Sequence, residues 1–321
     1  MKTILTGIKP TGVPHIGNFF GAIKPAIESA NNLNAKSFLF IADYHALTTV
    51  RCAKELDMGV KMIACTWLAC GLDITKTVFY KQSDVPQIFE LSTILSNVTP
   101  KGLLDRSHAF KAAIDAGHDV NMGLYNYPVL MAADILAFDT DLVPVGKDQQ
   151  QHVEITSDIA KAFNAVFGKV LTVPLPDTRK EVAVLPGLDG RKMSKSYGNV
   201  IPLFADKNEL KKVIARIVTD SSSPTEPKST ECTIYDIYKL FASEDELGIM
   251  KEKFSKGVGW GEVKSELLEV MDSVLSPMRE KYNYYMNNFH EVEKVLKQGA
   301  EKAKIVASET IKRVRKSVGA S

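Results

Sequence analysis

G-I-K-P-T-G-V-P-H-I-G-N, residues Gly7 to Asn18, is a glycine-rich turn between two segments of regular pattern. The apolar run T-I-L-T-G leads into it and N-F-F-G-A-I follows, so the order strand, turn, helix is predicted. Glycines let a ligand approach the backbone, and the unpaired N–H groups at a helix start suit an anion such as a triphosphate. His15 and Asn18 face the same way on the first turn, where both can donate to phosphate oxygens.

A second polar motif lies much later in the chain. R-K-M-S-K-S, residues Arg191 to Ser196, follows the turn-rich text P-G-L-D-G. Lys192 and Lys195, flanked by hydroxyl groups, can clamp a pyrophosphate as negative charge builds on it. Taken alone, the first motif is a weak signal, and a charged surface loop is the minority alternative for the second. The pair, in this order, is far more specific than either motif.

Outward from these motifs, the sequence alternates strand-like and helix-like segments. Strand-like runs cover Ser37 to Tyr44 and Thr77 to Asp84, and apolar residues at helical spacing cover Ala53 to Cys70. This alternation predicts an α/β fold with a Rossmann-like parallel sheet and right-handed crossovers. The early strands end in polar text, G-I-K-P-T-G, D-Y-H and Q-S-D, so we expect the site at that edge.

The rest of the chain is predicted to be mainly helical. Residues 85–167 have a helical pattern with interruptions, V-L-T-V-P-L-P is a last strand-like stretch, and Lys- and Glu-rich amphipathic patterns follow from about Leu203. We therefore predict a catalytic domain with inserted helices at 1–185, a K-M-S-K-S loop at 186–200 and a C-terminal helical domain at 201–321. The last domain is expected to pack partly back on the first.

The composition is that of an ordinary globular protein. Forty Lys and Arg against 38 Asp and Glu give a net charge of +2, so any basic surface is local. The sequence has neither an apolar run of about 20 residues nor a signal-peptide pattern, which predicts a soluble, cytoplasmic protein without a membrane partner. The four cysteines form no C-x-x-C pair and are expected to be reduced, mostly buried thiols.

The pair H-I-G-N and K-M-S-K-S resembles the signature motifs of the class I aminoacyl-tRNA synthetases. The short C-terminal region narrows the resemblance to the tyrosine and tryptophan subclass. Y-P-V-L-M-A-A-D-I-L (Tyr127 to Leu136) and V-P-V-G-K-D-Q-Q-Q-H (Val143 to His152) look like the tryptophan enzymes. A-D-Y-H-A near the second strand and the closing A-x-x-A-x-x-V-A-S-E-T extend the resemblance nearly end to end.

The residues agree with an indole pocket. An indole presents one N–H donor on a large apolar body, so its pocket needs one buried acceptor among apolar walls. Asp134 is predicted to be that acceptor, with Met131 one turn earlier on the same helix face. Val143 and Val145 can line the ring. A structural cap or ion pair is the alternative for Asp134, although burying a carboxylate among apolar residues is costly.

The resemblance implies roles for further residues. Tyr127 and Gln149 are expected to hold the ammonium group of the amino acid. Asp148 and Gln149 are expected to bind either the ribose hydroxyls or that ammonium group. His45 is expected near the amino acid, with a purely structural histidine as an equal alternative. Catalytic roles are predicted for His15, Asn18, Lys192 and Lys195. The full predicted tryptophan set is Gly7, His45, Tyr127, Met131, Asp134, Val143, Val145 and Gln149. The predicted ATP set is Lys9, Pro10, Thr11, Gly17, Asn18, Gly146, Lys147, Asp148, Ala183, Lys192, Met193, Ser194, Lys195 and Ser196.

The implied activity is ligation of L-tryptophan to tRNA(Trp) with ATP, through an adenylate and without a side-chain nucleophile. Mg²⁺ would be held mainly by the phosphates, so no protein metal site is predicted, and relatives of this architecture are homodimers. Two enzymatic alternatives remain at this point: a tyrosyl-tRNA synthetase, and a nucleotidyltransferase that makes a small adenylylated metabolite. An RNA-binding paralogue without activity is a third, non-enzymatic alternative.

Two features depart from the pattern or add to it. Lys9 and His15 stand where many bacterial relatives carry Gln and Thr, and each can supply a donor to a phosphate or a ribose. Residues 302–316 hold six basic side chains and one acid. A solvated helix face is the simpler interpretation of that stretch, and a contact to an RNA backbone is the other.

Overall fold

A computed structural model describes residues 1–10, 12–31, 34–115, 117, 120–177 and 185–320, with the backbone alone at 109, 113, 147 and 148. The strands in this part of the chain are β1 (Lys2–Ile8), β2 (Ala35–Ile41), β3 (Thr77–Lys81), β4 (Leu142–Pro144) and β5 (Leu175–Asp177). The helices up to β5 are α1 (Ile16–Asn18), α2 (Lys24–Ala30), α3 (Asp43–Ala46), α4 (Ala53–Ala69), α5 (Gln87–Ser96), α6 (Lys101–Asp105), α7 (His108–Asp115), α8 (Met122–Tyr125), α9 (Tyr127–Leu136) and α10 (Lys147–Phe167). Those after β5 are α11 (Lys207–Ala215), α12 (Thr233–Tyr238), α13 (Glu244–Lys256), α14 (Trp260–Asn287) and α15 (Phe289–Val318). A π-helical turn at Phe19–Ile23 joins α1 to α2, and 3₁₀ turns lie at Gln82–Asp84 and Lys195–Tyr197.

The strands form one parallel sheet in the order β3-β2-β1-β4-β5. The chain adds β2 and β3 on one side of β1 and then β4 and β5 on the other side. The carboxyl ends of β1 and β4 therefore meet at a topological switch point, where doubly wound sheets bind their ligands. This arrangement confirms the predicted α/β fold with a Rossmann-like parallel sheet and additional helices.

Helices cover both faces of the sheet, as the apolar text of β2 requires. On one face Leu39 and Trp67 belong to a buried cluster that extends to Leu267 and Met271 of α14. On the other face Phe38 belongs to a cluster that reaches Ala303 of α15. Both clusters therefore combine the sheet with helices from beyond residue 200.

The last helix lies directly on the backbone of β3. A Cβ atom at Gly299 would be 1.8 Å from the carbonyl oxygen of Phe79, so only glycine permits this approach. Two ion pairs, Arg313 with Asp139 and Arg315 with Glu90, join the end of α15 to the segment after α9 and to α5. The division into domains at 185 and 200 stays a prediction.

Some boundaries differ from the sequence-based expectation. β2 ends at Ile41, and Asp43 and Tyr44 belong to α3 instead of the strand. The last strand is confined to residues 175–177, because Asn164 binds the N–H groups of Val170 and Leu171 and Pro174 has no N–H. The thiols are free, but only Cys65 is buried and Cys52 is exposed, so the expectation of mostly buried cysteines was wrong. Within the described residues, no helix has the length and apolar character to cross a membrane.

Candidate active site

The two sequence motifs lie side by side. Residues that precede α1 run beside the segment that follows the K-M-S-K-S loop: Ile16 N–H donates to the Ile201 carbonyl at 3.0 Å, and Leu203 N–H donates to the Pro14 carbonyl at 3.1 Å. Between these bonds His15 faces Pro202 in an isolated antiparallel bridge. The end of the loop is thereby attached to the turn that carries His15.

His15 and Asn18 cap the first helix reciprocally. The Asn18 N–H donates to His15 Nδ1 at 3.3 Å, and the His15 N–H donates to Asn18 Oδ1 at 3.1 Å. Burial, with a smaller effect from the Lys195 ammonium, lowers the pKa of His15 to about 4. The ring is therefore neutral at physiological pH, and because Nδ1 accepts, its proton is on Nε2. His15 Nε2 and Asn18 Nδ2 are the donors that these two side chains offer beyond the cap.

The K-M-S-K-S loop packs on the glycine-rich turn. Met193 is 5% exposed, and a Cβ at Gly17 would lie 2.8 Å from His15 Nδ1 and 3.4 Å from the Met193 sulfur. A Cβ at Gly12, which has a φ of +65°, would lie 3.0 Å from Lys195 Nζ. Burial lowers the pKa of Lys195. Lys195 Nζ is thus beside the turn, and both Lys195 and Lys192 are exposed on the loop.

Asn199 holds this loop in shape. Its Oδ1 accepts the Ser194 N–H at 2.9 Å, and its Nδ2 donates to Asp189 Oδ1 at 2.6 Å and to the Lys192 carbonyl at 3.2 Å. Asn199 is 3% exposed. The motif pattern does not predict this role of Asn199, although an amide that closes S-Y-G-N was the available signal.

A cavity opens at the switch point between β1 and β4. Its lining includes the whole predicted tryptophan set: Gly7, His45, Tyr127, Met131, Asp134, Val143, Val145 and Gln149. It also includes Leu5, Thr6, Lys9, Phe40, Ala42, Ile135 and Pro144. A Cβ at Gly7 would lie 2.5 Å from Phe40 Cζ, so glycine at the end of β1 leaves room for that ring. The structure therefore brings together residues from four separate segments around one mainly apolar space.

Asp134 is the buried carboxylate of this cavity, with 0% of its surface exposed. His45 Nε2 lies 2.7 Å from Oδ2, and Gln82 Nε2 lies 2.9 Å from both oxygens. Burial raises the pKa of Asp134, and the hydrogen bonds from His45 and Gln82 oppose that rise. A carboxylate has about four lone-pair directions, so these donors leave acceptor capacity for one more.

Tyr127 and Lys9 lie at the polar side of the cavity. The Tyr127 ring is 4.5 Å from the His45 ring, and Lys9 Nζ lies 4.9 Å from the Tyr127 ring centre. Burial, together with the Asp134 charge, raises the pKa of Tyr127 to about 12, and burial lowers the pKa of Lys9. Gln149 Oε1 lies 2.9 Å from His152 Nδ1. Lys9, which the sequence analysis groups with ATP, thus also lines the cavity at the switch point.

The remaining predicted ATP residues divide into three groups. Pro10 is buried, and a Cβ atom at Gly59 of α4 would lie 2.6 Å from its carbonyl oxygen. Gly146 is the N-cap of α10. Ser194 and Ser196 lie on the K-M-S-K-S loop, with their Oγ atoms 2.8 Å apart. Thr11, Ala183 and the side chains of Lys147 and Asp148 lie outside the described residues. In the part of the chain that is described, no three His, Cys, Asp or Glu side chains are grouped to hold a metal ion.

Comparison with known proteins identifies the family. The family described as tRNA synthetases class I (W and Y) matches residues 1–276. The chain belongs to the class I tRNA synthetases for tryptophan and tyrosine. Within this synthetase family it is similar to the tryptophan–tRNA ligase of Pseudomonas aeruginosa, with 47% identity over 98% of this chain and 73% of that protein. The corresponding ligase of Neisseria meningitidis is 43% identical over 99% of this chain and 98% of its own length.

Solved structures agree with these relatives. The crystal structure of tryptophanyl-tRNA synthetase from Campylobacter jejuni, complexed with ADP and tryptophan, superimposes with a TM-score of 0.94. It is 43% identical, and the match covers 99% of both chains. The synthetase fold of this chain therefore includes the C-terminal helices as well as the sheet.

Proposed function

We propose that this chain is a tryptophan–tRNA ligase, which activates L-tryptophan with ATP and transfers it to tRNA(Trp). The observation that carries the proposal is the cavity at the β1–β4 switch point, in which one buried carboxylate, Asp134, lies among apolar walls. Gly7 and Lys9 of the glycine-rich turn line this cavity, and the K-M-S-K-S loop packs on the same turn. The ligases of Pseudomonas aeruginosa and Neisseria meningitidis and the ligand-bound Campylobacter jejuni structure support the same activity.

Activation is a single in-line displacement. A carboxylate oxygen of tryptophan forms a bond to the α-phosphorus of ATP, and the bond from that phosphorus to the bridging oxygen of pyrophosphate breaks. Because no protein group is transferred, the chain contributes positioning and charge stabilisation. Neutral His15 donates from Nε2, and Lys192 and Lys195 offset charge on the leaving pyrophosphate. Mg²⁺, held mainly by the phosphates, would neutralise further charge on the nucleotide.

Selectivity follows from the acceptor in the cavity. The indole N–H would donate to Asp134, while Met131 and Val143 contact the apolar ring. Phenylalanine lacks that donor and would displace water from the carboxylate without replacing its hydrogen bond. A site that hydrogen-bonds its substrate rejects analogues without the donor strongly, so discrimination needs no separate editing domain.

The wider assignments belong to the same proposal. Transfer to tRNA(Trp), pairing as a homodimer and a cytoplasmic location are the properties expected of a tryptophan enzyme of this subclass. Of the basic stretch at 302–316, Arg313 and Arg315 are engaged with Asp139 and Glu90, and Lys304 with Glu301. These pairs favour a solvated helix face over an RNA contact for that stretch.

ATP–pyrophosphate exchange with each of the twenty amino acids tests the proposal directly. With the purified chain and Mg²⁺, we expect exchange that depends on tryptophan alone. Exchange with tyrosine would move the assignment to the sister enzyme. No exchange with any amino acid would favour the metabolite transferase or an inactive paralogue.

A further inference from the structure

Gln82 is a fully buried amide at the edge of the sheet where the site lies. It follows β3 directly, begins the 3₁₀ turn Gln82–Asp84 and has 0% of its surface exposed. In the sequence, Q-S-D stands out only as polar residues at a strand end, and nothing in the pattern predicts a role for this side chain. A buried amide is costly unless each of its polar groups has a partner.

The side chain of Gln82 bonds two residues that line the amino-acid cavity, Asp134 and His45. Nε2 lies 2.9 Å from Asp134 Oδ1 and 2.9 Å from Asp134 Oδ2. Its Oε1 accepts the backbone N–H of His45 at 3.3 Å. One side chain therefore connects the end of β3 to α9 and to α3, which carry Asp134 and His45 of the cavity lining.

These contacts constrain how the carboxylate is turned. Because Nε2 touches both oxygens, rotation of the Asp134 carboxylate about its Cβ–Cγ bond would break at least one hydrogen bond. His45 Nε2 adds a second donor on Oδ2 only. Oδ1 is thus left with the greater remaining acceptor capacity.

We infer that Gln82 is a specificity-positioning residue, which orients the Asp134 carboxylate so that one acceptor site meets the N–H of a bound indole. The inference rests on the proposed function and deepens it. Gln82 touches neither the reacting atoms nor the ring in this scheme. It acts through Asp134, and through the His45 backbone it fixes the imidazole that donates to the same carboxylate.

The test compares tryptophan with an analogue that lacks the donor. In 3-(benzothiophen-3-yl)alanine, sulfur replaces the indole N–H and the shape is nearly kept. The kcat/KM for tryptophan divided by that for the analogue, both in pyrophosphate exchange, therefore reports the hydrogen bond to Asp134. Gln82→Met keeps the length of the side chain but removes the amide. In this variant we expect the ratio to fall about tenfold, because kcat/KM for tryptophan falls. The kcat/KM for the analogue and the KM for ATP should change little.

Gln87→Met is the matched control. Gln87 is the first residue of α5 and does not line the cavity. Its Nε2 donates to Ser308 Oγ on α15 at 2.9 Å. We expect its ratio to equal that of the wild type. Folding of each variant is checked by cooperative urea unfolding.

The outcomes separate this inference from the proposed function. If Gln82→Met lowers both substrates equally and keeps the ratio, Gln82 supports the fold only and the inference is wrong. If the wild type activates neither amino acid, the proposed function fails before the variant is considered. Should Gln82→Met not fold, Gln82→Asn withdraws the amide by one methylene, and the same fall in the ratio is required.

Discussion

His15 illustrates how burial sets the charge of a single group. Its pKa is lowered from 6.5 to about 4, chiefly by burial and further by Lys195. Between these values the unfolded chain binds a proton that the folded protein excludes. The neutral ring therefore contributes stability that is complete above about pH 6.5 and is lost as the pH falls toward 4. We expect the difference in free energy of unfolding between wild type and His15→Gln, measured with urea, to shift in favour of the variant from pH 7 to pH 5. A difference that stays constant would contradict a neutral His15.

Asp134→Asn tests the proposed reader of the indole. Asparagine keeps the shape but replaces one acceptor oxygen by an NH2 donor. That donor must face another donor, from His45, Gln82 or the substrate. We expect the KM for tryptophan in pyrophosphate exchange to rise about tenfold or more and its preference over phenylalanine to fall. The KM for ATP serves as the internal control. Unchanged selectivity would contradict the acceptor role.

At the residue scale, pattern predicted the motif residues but not their supports. Asp134 was predictable because a carboxylate within M-A-A-D-I-L is out of place unless it binds something. Gln82 was not predictable, because it reaches its partner across 52 positions of sequence and a glutamine carries no sign of being buried. Asn199 was missed for a related reason, since its bonds to Asp189 and Ser194 exist only once the loop has folded.

At the scale of the elements, the structure follows the sequence where the hydrophobic pattern is regular. β1 and α4 appear nearly as the sequence predicts, because their apolar residues recur at the spacing of a buried strand and of a helix. β2 stops early where Asp43 accepts the N–H groups of Tyr44 and Ser83, which turns the chain into α3. Such side-chain bonds compete with the ladder, and their long-range partners are invisible to a local pattern.

The K-M-S-K-S loop is the element whose charge is expected to govern activation. Asn199 and Met193 fix its backbone, so Lys192→Ala removes an exposed ammonium without disturbing that packing. We expect the rate of pyrophosphate exchange at saturating substrates to fall on the order of 100-fold, with little change in the KM for tryptophan. Lys161→Ala, at an exposed lysine of α10, is the control. Near-wild-type exchange in Lys192→Ala would disprove the clamp.

At the scale of the whole molecule, the packing crosses the predicted domain division. The cluster on one face of the sheet continues into α14, and the cluster on the other continues into α15. The sequence predicted helices after residue 200 and some packing back on the sheet. Which helix would lie on which strand was beyond its reach, because that depends on the fit of surfaces far apart in sequence. The small residues Ala300, Ala303 and Ala307 of α15 are all buried and belong to the cluster on this face of the sheet.

Gly299 makes that fit measurable. In Gly299→Ala the new methyl group would meet the Phe79 carbonyl, a backbone atom that cannot move aside, so α15 must shift away from β3. We expect a loss of about 3 kcal/mol in the free energy of unfolding, measured by urea titration. Gly248→Ala is the matched control, because Gly248 lies in α13 with no atom within 4 Å of its added Cβ. There the better helix propensity of alanine should stabilise by about 0.5–1 kcal/mol. Opposite signs would show that contact with the sheet, and not helix propensity, determines the residue at 299. Since Gln82 directly follows β3, a shift of α15 should also weaken tryptophan binding in the folded variant, and binding that stays unchanged would confine the effect of α15 to stability.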